Sequence, residues 1–563
     1  MRPYLADNEI LLYDTLEHKD DLQKIPGGLW DKKRRHWRFP PSSIFDLSER
    51  IPGILNDPTM AQLLERAKRV YAEADRLKAG KLEPPPHPFL MRHQRVCLAL
   101  SRLFRRYAFF LDTGTGKTLT SLAIIDDVLN RERDFKWVVV CPKAIIKTAW
   151  LEDAKQFFPH LKILPLSKNM TRDDYVQIMA RWDMPKIGLY EKGPVAEIVR
   201  RLVTQADVFL VNPENLSAAL PYIDNPSCWG LIFDESVKLK NPTAQITKQI
   251  TELAQSMKRV YLLSGKPAPN NNLEYFSQMR IIDPAIFGNN FYRFREKYFN
   301  PDYMGYNWTP KPEKAAEFMQ RLSRKCVFIA KEDCLDLPDK TYITKEVELP
   351  PTAMKYYKSM ERQRVLELSE NKTIAANQKV VQLMKLRQIT SGFVLDDDRP
   401  HLLHKHKLNA LLETLEEIGD KQVIIWCDFH HEIELIAEAL GDRAVTAYGK
   451  TKNVDASIEA FKQGRAQYMI AHPRTLKYGV TFVGPSMAKG DCSYAIYYTL
   501  SYSYDDYYQS HDRIYRKGVS KPATFIYLVV PGTIDQLVLS VLQRKGELAA
   551  EVETYIKRRL QND

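Results

Sequence analysis

Runs of apolar, β-forming residues recur along this chain in two blocks, and no other feature constrains its fold as tightly. The first block holds YAFFLD (107–112), WVVVCP (137–142), DVFLVN (207–212), WGLIFDE (229–235) and RVYLLSG (259–265). The second holds QVIIWC (422–427), QYMIA (467–471), YAIYYT (494–499) and TFIYLVV (524–530). Helical patterns separate the runs. A strand that is apolar on successive residues is buried on both faces, which calls for a parallel sheet with helices packed above and below it. Between the blocks, about 270–420, the pattern lapses into mostly helical sequence. LEPPPHPFL (82–90) is the clearest break. It sets apart about 80 residues that hold a strand-like EILLYD, the stretch IPGGLWDKKRRHWRFP and a charged helical segment around 60–78.

A length of 563 residues calls for several domains. Apolar residues at 44% and charged residues at 27% are ordinary for a soluble globular chain. Lys and Arg number 82 against 70 Asp and Glu, a net +12 that suits a polyanionic partner without requiring one. The seven cysteines are scattered and form no CxxC pair, so neither a disulfide framework nor a zinc site is indicated, and a reducing intracellular compartment is expected. The N-terminus MRPYLADNEILLYD carries acids and no apolar signal core. No window approaches the roughly 20 apolar residues of a membrane span.

LDTGTGKT (111–118) follows a strand run and opens the helical pattern LTSLAIIDDVL. In that context the glycines form a phosphate loop. Backbone N–H groups wrap the phosphates at a helix N-terminus, Lys117 reaches the β and γ oxygens, and Thr118 holds Mg²⁺. The full GxxxxGK pattern wants glycine at 111, where this chain has leucine. LIFDES ends a strand run with adjacent carboxylates. Successive side chains at a strand end diverge, so Asp234 can hold Mg²⁺ while Glu235 orients the attacking water. In QSHDRIYR (509–516), Arg513 and Arg516 are expected one turn apart on one helix face.

From Met91 to about Lys545 these elements resemble, in order, the Swi/Snf-type branch of the superfamily-two helicase-like ATPases. The matching segments are RHQ (92–94), GTGKT, VVVCPKAIIKTAW (138–150), DESVKLKN (234–241), LLSGKPAPNN (262–271), CLDLPDK (334–340), IIWCDF (424–429) and QSHDRIYRKG; LVVPGTIDQLVL (528–539) resembles the segment after the last motif. The resemblance implies an α/β fold with two RecA-like parallel-sheet lobes and helical insertions, preceded by a small α+β N-terminal module. The expected boundaries are 1–80 for the module, 81–335 for lobe 1, 336–420 for a helical insertion and 421–563 for lobe 2 with a C-terminal helix. It implies an ATP site lined by Arg92, Gln94, Thr113, Gly114, Thr115, Gly116, Lys117, Thr118 and Gln509, with Gln94 reading adenine. Ser264 and Gly265 would relay the nucleotide state to DNA. Arg513 and Arg516 would be arginine fingers, groups that contribute about 10³–10⁵ in turnover. Charge supplied by a moving lobe makes hydrolysis depend on closure.

The chain departs from the family at three places. Val237 stands where the acidic box ends in His, Lys266 stands where Thr is usual, and AHPRTLKYGVTFVG (471–484) lacks the glycine-rich ending of motif five. Neither Val237 nor Lys266 removes a phosphate or metal ligand, so ATPase activity is expected, while the coupling of hydrolysis to movement is left open. Lys143, Lys147, Lys238, Lys240, Lys266 and Arg387 fall where basic loops can meet a DNA backbone, as do Arg474 and Thr475; such contacts give affinity without sequence choice. In KIPGGLWDKKRRHWRFPP, Trp30 and Trp37 bracket Lys32, Lys33, Arg34 and Arg35. Interleaved aromatics and cations suit nucleic acid, and a β-hairpin with the tryptophans in its core and a basic tip is compatible with that role. This stretch resembles the HARP module of annealing helicases. The expected function is an ATP-driven duplex-DNA translocase that anneals or remodels branched or forked DNA. The alternatives are a motor that displaces proteins from DNA and a binding protein with a spent ATPase. DNA is the expected partner, with single-strand-binding or replication proteins as further candidates. A monomer suffices, located in the cytoplasm or nucleoid of a bacterial or phage system.

Overall fold

The computed structural model describes residues 1–6, 8–132, 134–167, 170–182, 184, 195–302, 308–369, 376–396, 399–476 and 480–547. The chain divides into two compact units, Met1–Cys334 and Leu335–Glu547.

The first unit opens with a four-stranded antiparallel sheet of β1 (Arg2–Ala6), β2 (Glu9–Tyr13), β3 (Leu29–Asp31) and β4 (His36–Phe39), in the order β1-β2-β4-β3. One face buries Ile10, Leu12, Trp37 and Phe39 against Ile44, Leu47, Met60 and Leu64. The helix Pro58–Lys78 starts cleanly because Asp57 accepts the Thr59 and Met60 N–H groups (2.9 and 3.1 Å) and Pro58 needs no donor of its own.

This module is docked on the larger part of the same unit. Arg321 grips Asp46 with both terminal nitrogens, Ser42 donates to Asp283 (2.6 Å), and Tyr71 packs against Phe104 with ring centroids 5.2 Å apart. Gly27, at φ +83°, lies so close to the backbone of Pro284 and Ala285 that a Cβ would fall 2.9 Å from the Ala285 nitrogen. Only glycine satisfies both conditions.

The rest of the unit is built on β5 (Arg106–Leu111), β6 (Lys136–Val140), β7 (Ile163–Leu166), β8 (Val208–Val211), β9 (Trp229–Asp234) and β10 (Arg259–Ser264). A short hairpin of β11 (Phe299–Pro301) and β12 (Trp308–Pro310) precedes β13 (Cys326–Ile329). The sheet is parallel, in the order β13-β5-β10-β9-β6-β8-β7. Alternate residues enter opposite cores: Ala108, Val138, Leu231 and Phe233 on one side, and Tyr107, Phe109, Trp137 and Ile232 on the other. That two-sided burial is why the runs read as continuously apolar.

The second unit repeats the plan. It has β14 (Lys340–Glu346), the hairpin β15 (Phe393–Asp396) and β16 (Arg399–Leu402), then β17 (Val423–Trp426), β18 (Ala444–Ala447), β19 (Tyr468–Ala471), β20 (Tyr494–Tyr497) and β21 (Ala523–Val529). The parallel order is β14-β21-β20-β17-β19-β18, again between two cores. All nine runs picked out in the sequence are strands of these two sheets.

The region about 270–420 is less uniformly helical than expected. It supplies β13 to the first sheet, β14 to the second, and two hairpins. Residues 534–547 are helical, and the remainder of the expected C-terminal helix, 548–563, lies outside the described residues. Among the described residues no helix is long and apolar enough to cross a membrane.

Candidate active site

The sheet order places three loops side by side at one edge of the first unit. β10 lies between β5 and β9, with Ser264 opposite Phe110 and Leu263 opposite Asp234. The phosphate loop after β5, the acidic pair at the end of β9 and the Ser264–Gly265 turn after β10 are therefore neighbours at the C-terminal ends of parallel strands, where open α/β sheets form their binding crevices.

The glycine loop has the backbone of an anion cradle. Gly114 and Gly116 adopt φ +82° and +83°, and the helix Lys117–Arg131 begins directly after them. Thr115 folds back on Asp112, whose carbonyl accepts its N–H (3.3 Å) and its hydroxyl (2.7 Å). Lys117 Nζ, half-buried, donates to the Leu111 carbonyl at 3.2 Å. Thr113, Gly114, Lys117 and Thr118 are each partly exposed at this loop.

The segment RHQ braces the cradle. His93 Nε2 and Gln94 Nε2 both reach the Thr115 carbonyl, at 2.8 and 3.1 Å, and Gln94 Oε1 accepts the Met91 N–H. A Cβ on Gly116 would sit 2.1 Å from Gln94 Nε2, so the bare glycine lets Gln94 close on the loop. Arg92 faces Glu83 instead, at 3.1 Å. His93 was not singled out from sequence, although it stands between two residues that were.

Asp234 is buried at the end of β9, and its carboxyl is pushed upward by that burial. Lys117, Trp150, the Glu235 N–H and Lys238 pull the other way. Trp150 belongs to a π-helical turn, Ile146–Leu151, within the stretch KAIIKTAW. Glu235 takes a left-handed conformation (φ +63°), which a non-glycine residue holds only when its surroundings enforce it. A hydroxyl on Thr118 and a carboxylate on Asp234 are the hard oxygen donors that Mg²⁺ accepts when phosphates complete its shell.

A further residue joins the acidic pair to the next loop. Gln278 is fully buried; it accepts from Ser236 Oγ (2.7 Å) and donates to the Pro267 carbonyl (2.8 Å). It carries no motif of its own, and only the three-dimensional structure exposes it. Val237 is buried in the same turn, filling the place of the usual histidine with apolar side chain.

The basic residues divide. Lys143 is exposed. Lys147 pairs with Asp174 (2.7 Å) and Lys240 with Glu274 (3.1 Å), while Lys238 is partly buried. Lys266, expected at DNA, is mostly buried and pairs with Asp112 at 3.3 Å beside the phosphate loop. In the N-terminal module Lys32, Lys33, Arg34 and Arg35 form an exposed turn between β3 and β4. Asp31 Oδ1 fixes the turn by accepting the Lys33 and Arg34 N–H groups, which pull its pKa down. Trp30 is exposed and Trp37 buried, so the expected aromatic pair offers one ring at the surface.

In the second unit Arg387 is buried against Asp428 (2.6 Å), a pairing that displaces it from the surface role expected of it. Arg474 is exposed and bonds Asp506 at 3.1 Å, and Thr475 N–H donates to the His472 carbonyl. The helix expected to carry the arginine pair, Tyr504–His511, ends before it. Arg513 and Arg516 sit in the turns that follow. Arg513 is buried, with Nη1 on the Val480 carbonyl (2.6 Å) and Nε on that of Gln509 (3.0 Å). Gln509 is itself buried and donates to Asp505. Arg516 is partly exposed; burial lowers its pKa and Asp512 opposes the shift.

Comparison with known proteins gives the same reading. The chain is 23% identical to a protein of Acyrthosiphon pisum secondary endosymbiont phage 1 over 76% of its own length and 89% of the phage protein's. It is 21% identical to the Drosophila melanogaster SWI/SNF-related matrix-associated actin-dependent regulator of chromatin subfamily A-like protein 1, over 94% of this chain and 65% of that one. It is also 21% identical to the mouse DNA annealing helicase and endonuclease ZRANB3, over 80% of this chain and 39% of that one. The chain thus spans less than two thirds of the length of both animal relatives. Residues 105–392, just over half of the chain, match the family described as SNF2-related domain. With a glycine-rich loop, an acidic pair and the Ser264–Gly265 turn aligned on adjacent strands, the chain belongs to the SNF2-related family and is a DNA-dependent ATPase.

Proposed function

We propose that this ATPase translocates on duplex DNA and anneals or remodels branched or forked DNA. The observation that carries the reading is the N-terminal module. Its exposed turn of four consecutive cations beside the exposed Trp30 belongs to a module docked on the rest of the unit through Asp46 and Arg321. Cations pair with phosphates and an exposed indole stacks on an unpaired base, a combination suited to a junction where duplex meets single strand. The alignment with the fly relative covers 94% of this chain, so it must run into the first 80 residues, and the mouse relative is by name an annealing helicase.

In this reading Lys117 and the N–H groups of the 113–118 loop bind the triphosphate. Thr118 and Asp234 hold Mg²⁺, which neutralises charge on the phosphates. Glu235 orients the attacking water, and Arg513 and Arg516 supply charge to the transition state. Ser264 and Gly265, joined to the acidic loop through Gln278, report the nucleotide state to the DNA track. We assign residues 1–80, 81–335, 336–420 and 421–563 to module, first lobe, insertion and second lobe. The protein acts as a monomer in the cytoplasm or nucleoid.

The test compares annealing of complementary strands and rewinding of a forked substrate by the parent chain and by Lys32→Ala/Lys33→Ala/Arg34→Ala/Arg35→Ala/Trp30→Ala. The variant should lose fork preference and annealing while keeping ATP hydrolysis on plain duplex. Unchanged annealing would remove the module from the function; ATP-dependent clearing of a bound roadblock without annealing would favour a protein-displacing motor.

A further inference from the structure

The ion pair between Lys266 and Asp112 lies at the root of the phosphate loop. Asp112 follows β5 and is almost wholly buried. Its backbone N–H donates to the Ile329 carbonyl (3.0 Å), and its own carbonyl holds Thr115. One carboxylate oxygen faces Lys266 Nζ at 3.3 Å; the other accepts the Lys331 N–H at 3.3 Å. A single acid thus ties together the exits of three neighbouring strands, β13, β5 and β10. The loops touch there as well, since a Cβ on Gly265 would lie 3.6 Å from the Thr113 nitrogen and 3.8 Å from Asp112 Cα.

We propose that Lys266 is a positioning residue of the ATP site: it neutralises Asp112 so that the phosphate loop presents only donors and Lys117 to a triphosphate. The inference rests on the assignment of that loop to ATP. An uncompensated carboxylate inside a loop that gathers several negative phosphate charges would repel them, and in a buried site that repulsion is poorly screened. The residue therefore acts on nucleotide affinity through Asp112. It does not hold the DNA backbone, where a lysine after β10 is expected from sequence.

The experiment measures two equilibria, binding of a fluorescent ATP analogue and binding of duplex DNA over a range of salt. The chains compared are the parent, Lys266→Met, Lys266→Arg, Asp112→Asn and Lys266→Met/Asp112→Asn. Lys266→Met should weaken the analogue by about tenfold with duplex affinity and its salt slope unchanged. Lys266→Arg, which keeps the charge, and the double variant, which removes both charges, should each bind within about threefold of the parent. A merely structural lysine would not be rescued by deleting its partner. The inference is overturned if Lys266→Met binds the analogue like the parent while its DNA salt slope falls, or if the double variant binds no better than the single one. A parent chain that binds no nucleotide would overturn the ATP-site reading itself, a different result from either.

Discussion

Replacing Arg321 with Leu should undock the N-terminal module, and the size of the effect can be worked from its contacts. Arg321 Nη1 lies 3.2 Å from Asp46 Oδ2 and 3.4 Å from the Ala285 carbonyl, Nη2 holds Asp46 Oδ1, and Nε donates to Glu317 at 3.2 Å. Both side chains of the central pair are buried, at 11% and 6% exposure. Glu317 keeps Lys297 (2.6 Å) and Lys314 (3.2 Å) as partners when Arg321 is removed, so the penalty falls on Asp46. Leaving a buried charge without its partner costs about 3–5 kcal/mol. An undocked module returns Asp46 to water, so the loss should appear as module opening rather than global unfolding. At about 3 kcal/mol the open population rises roughly a hundredfold, and proteolytic release of the first 80 residues should accelerate by the same factor where reclosing outruns cleavage. Arg321→Leu/Asp46→Leu should recover most of the protection, because no charge is stranded. Release within threefold of the parent rate, or a double variant as labile as the single one, would refute the reasoning.

Arg516→Ala should leave ATP and DNA binding near parent values while turnover falls by about 10³ or more, measured by steady-state hydrolysis. Arg513→Ala, which strands the Val480 and Gln509 carbonyls, should in addition lower thermal stability by about 1–3 kcal/mol; equal melting of the two variants would contradict the distinction drawn between them. Glu432 is buried in the second unit, takes hydrogen bonds from Thr499 (2.6 Å) and the Phe429 N–H (3.2 Å), and has its pKa pushed up to about 7 by burial. A raised carboxyl pKa means the folded state holds the proton more tightly. Its stabilising effect is full below about pH 4.5, falls as pH rises to 7 and is absent above, a span of roughly 3 kcal/mol. Glu432→Gln should therefore resist urea better than the parent at pH 8 and match it near pH 5; an equal change at both pH values would sink that account.

The parts of the fold legible in sequence are those whose physics is local and uniform. Inner strands such as Val138–Val140 and Ile424–Trp426 are buried on both faces, so hydrophobicity alone marks them. The four strands of the two sheets that the runs missed are all edges: β7 and β13 in the first, β14 and β18 in the second. β14 is largely solvent-exposed and reads KTYITKE, β7 is interrupted by Pro165, and β13 and β18 span only four residues each. An edge strand lacks a neighbour on one side and with it the demand for continuous apolar sequence. At the site, the residues proposed to meet phosphate stand out in the sequence because glycines, a lysine and paired acids have a fixed spacing. Residues that connect one loop to another were not. His93, Asp112 and Gln278 act through contacts with residues remote in sequence, and Lys266 read as a DNA contact until its partner was visible. The helix expected over Arg513 and Arg516 failed for a related reason. Spacing of three allows a helical face, but Arg513 Nε caps the Gln509 carbonyl where the helix stops.

The central claim is that the first unit hydrolyses ATP in response to DNA. Its most direct test is the steady-state ATPase rate of the parent chain and of Lys117→Ala, measured without DNA and with single-stranded, plain duplex and forked DNA. A low basal rate, strong stimulation by duplex, the largest stimulation by the fork, and loss of about a hundredfold or more in Lys117→Ala on every substrate are expected. A parent rate that no DNA changes, or a Lys117→Ala rate equal to the parent's, would contradict that claim.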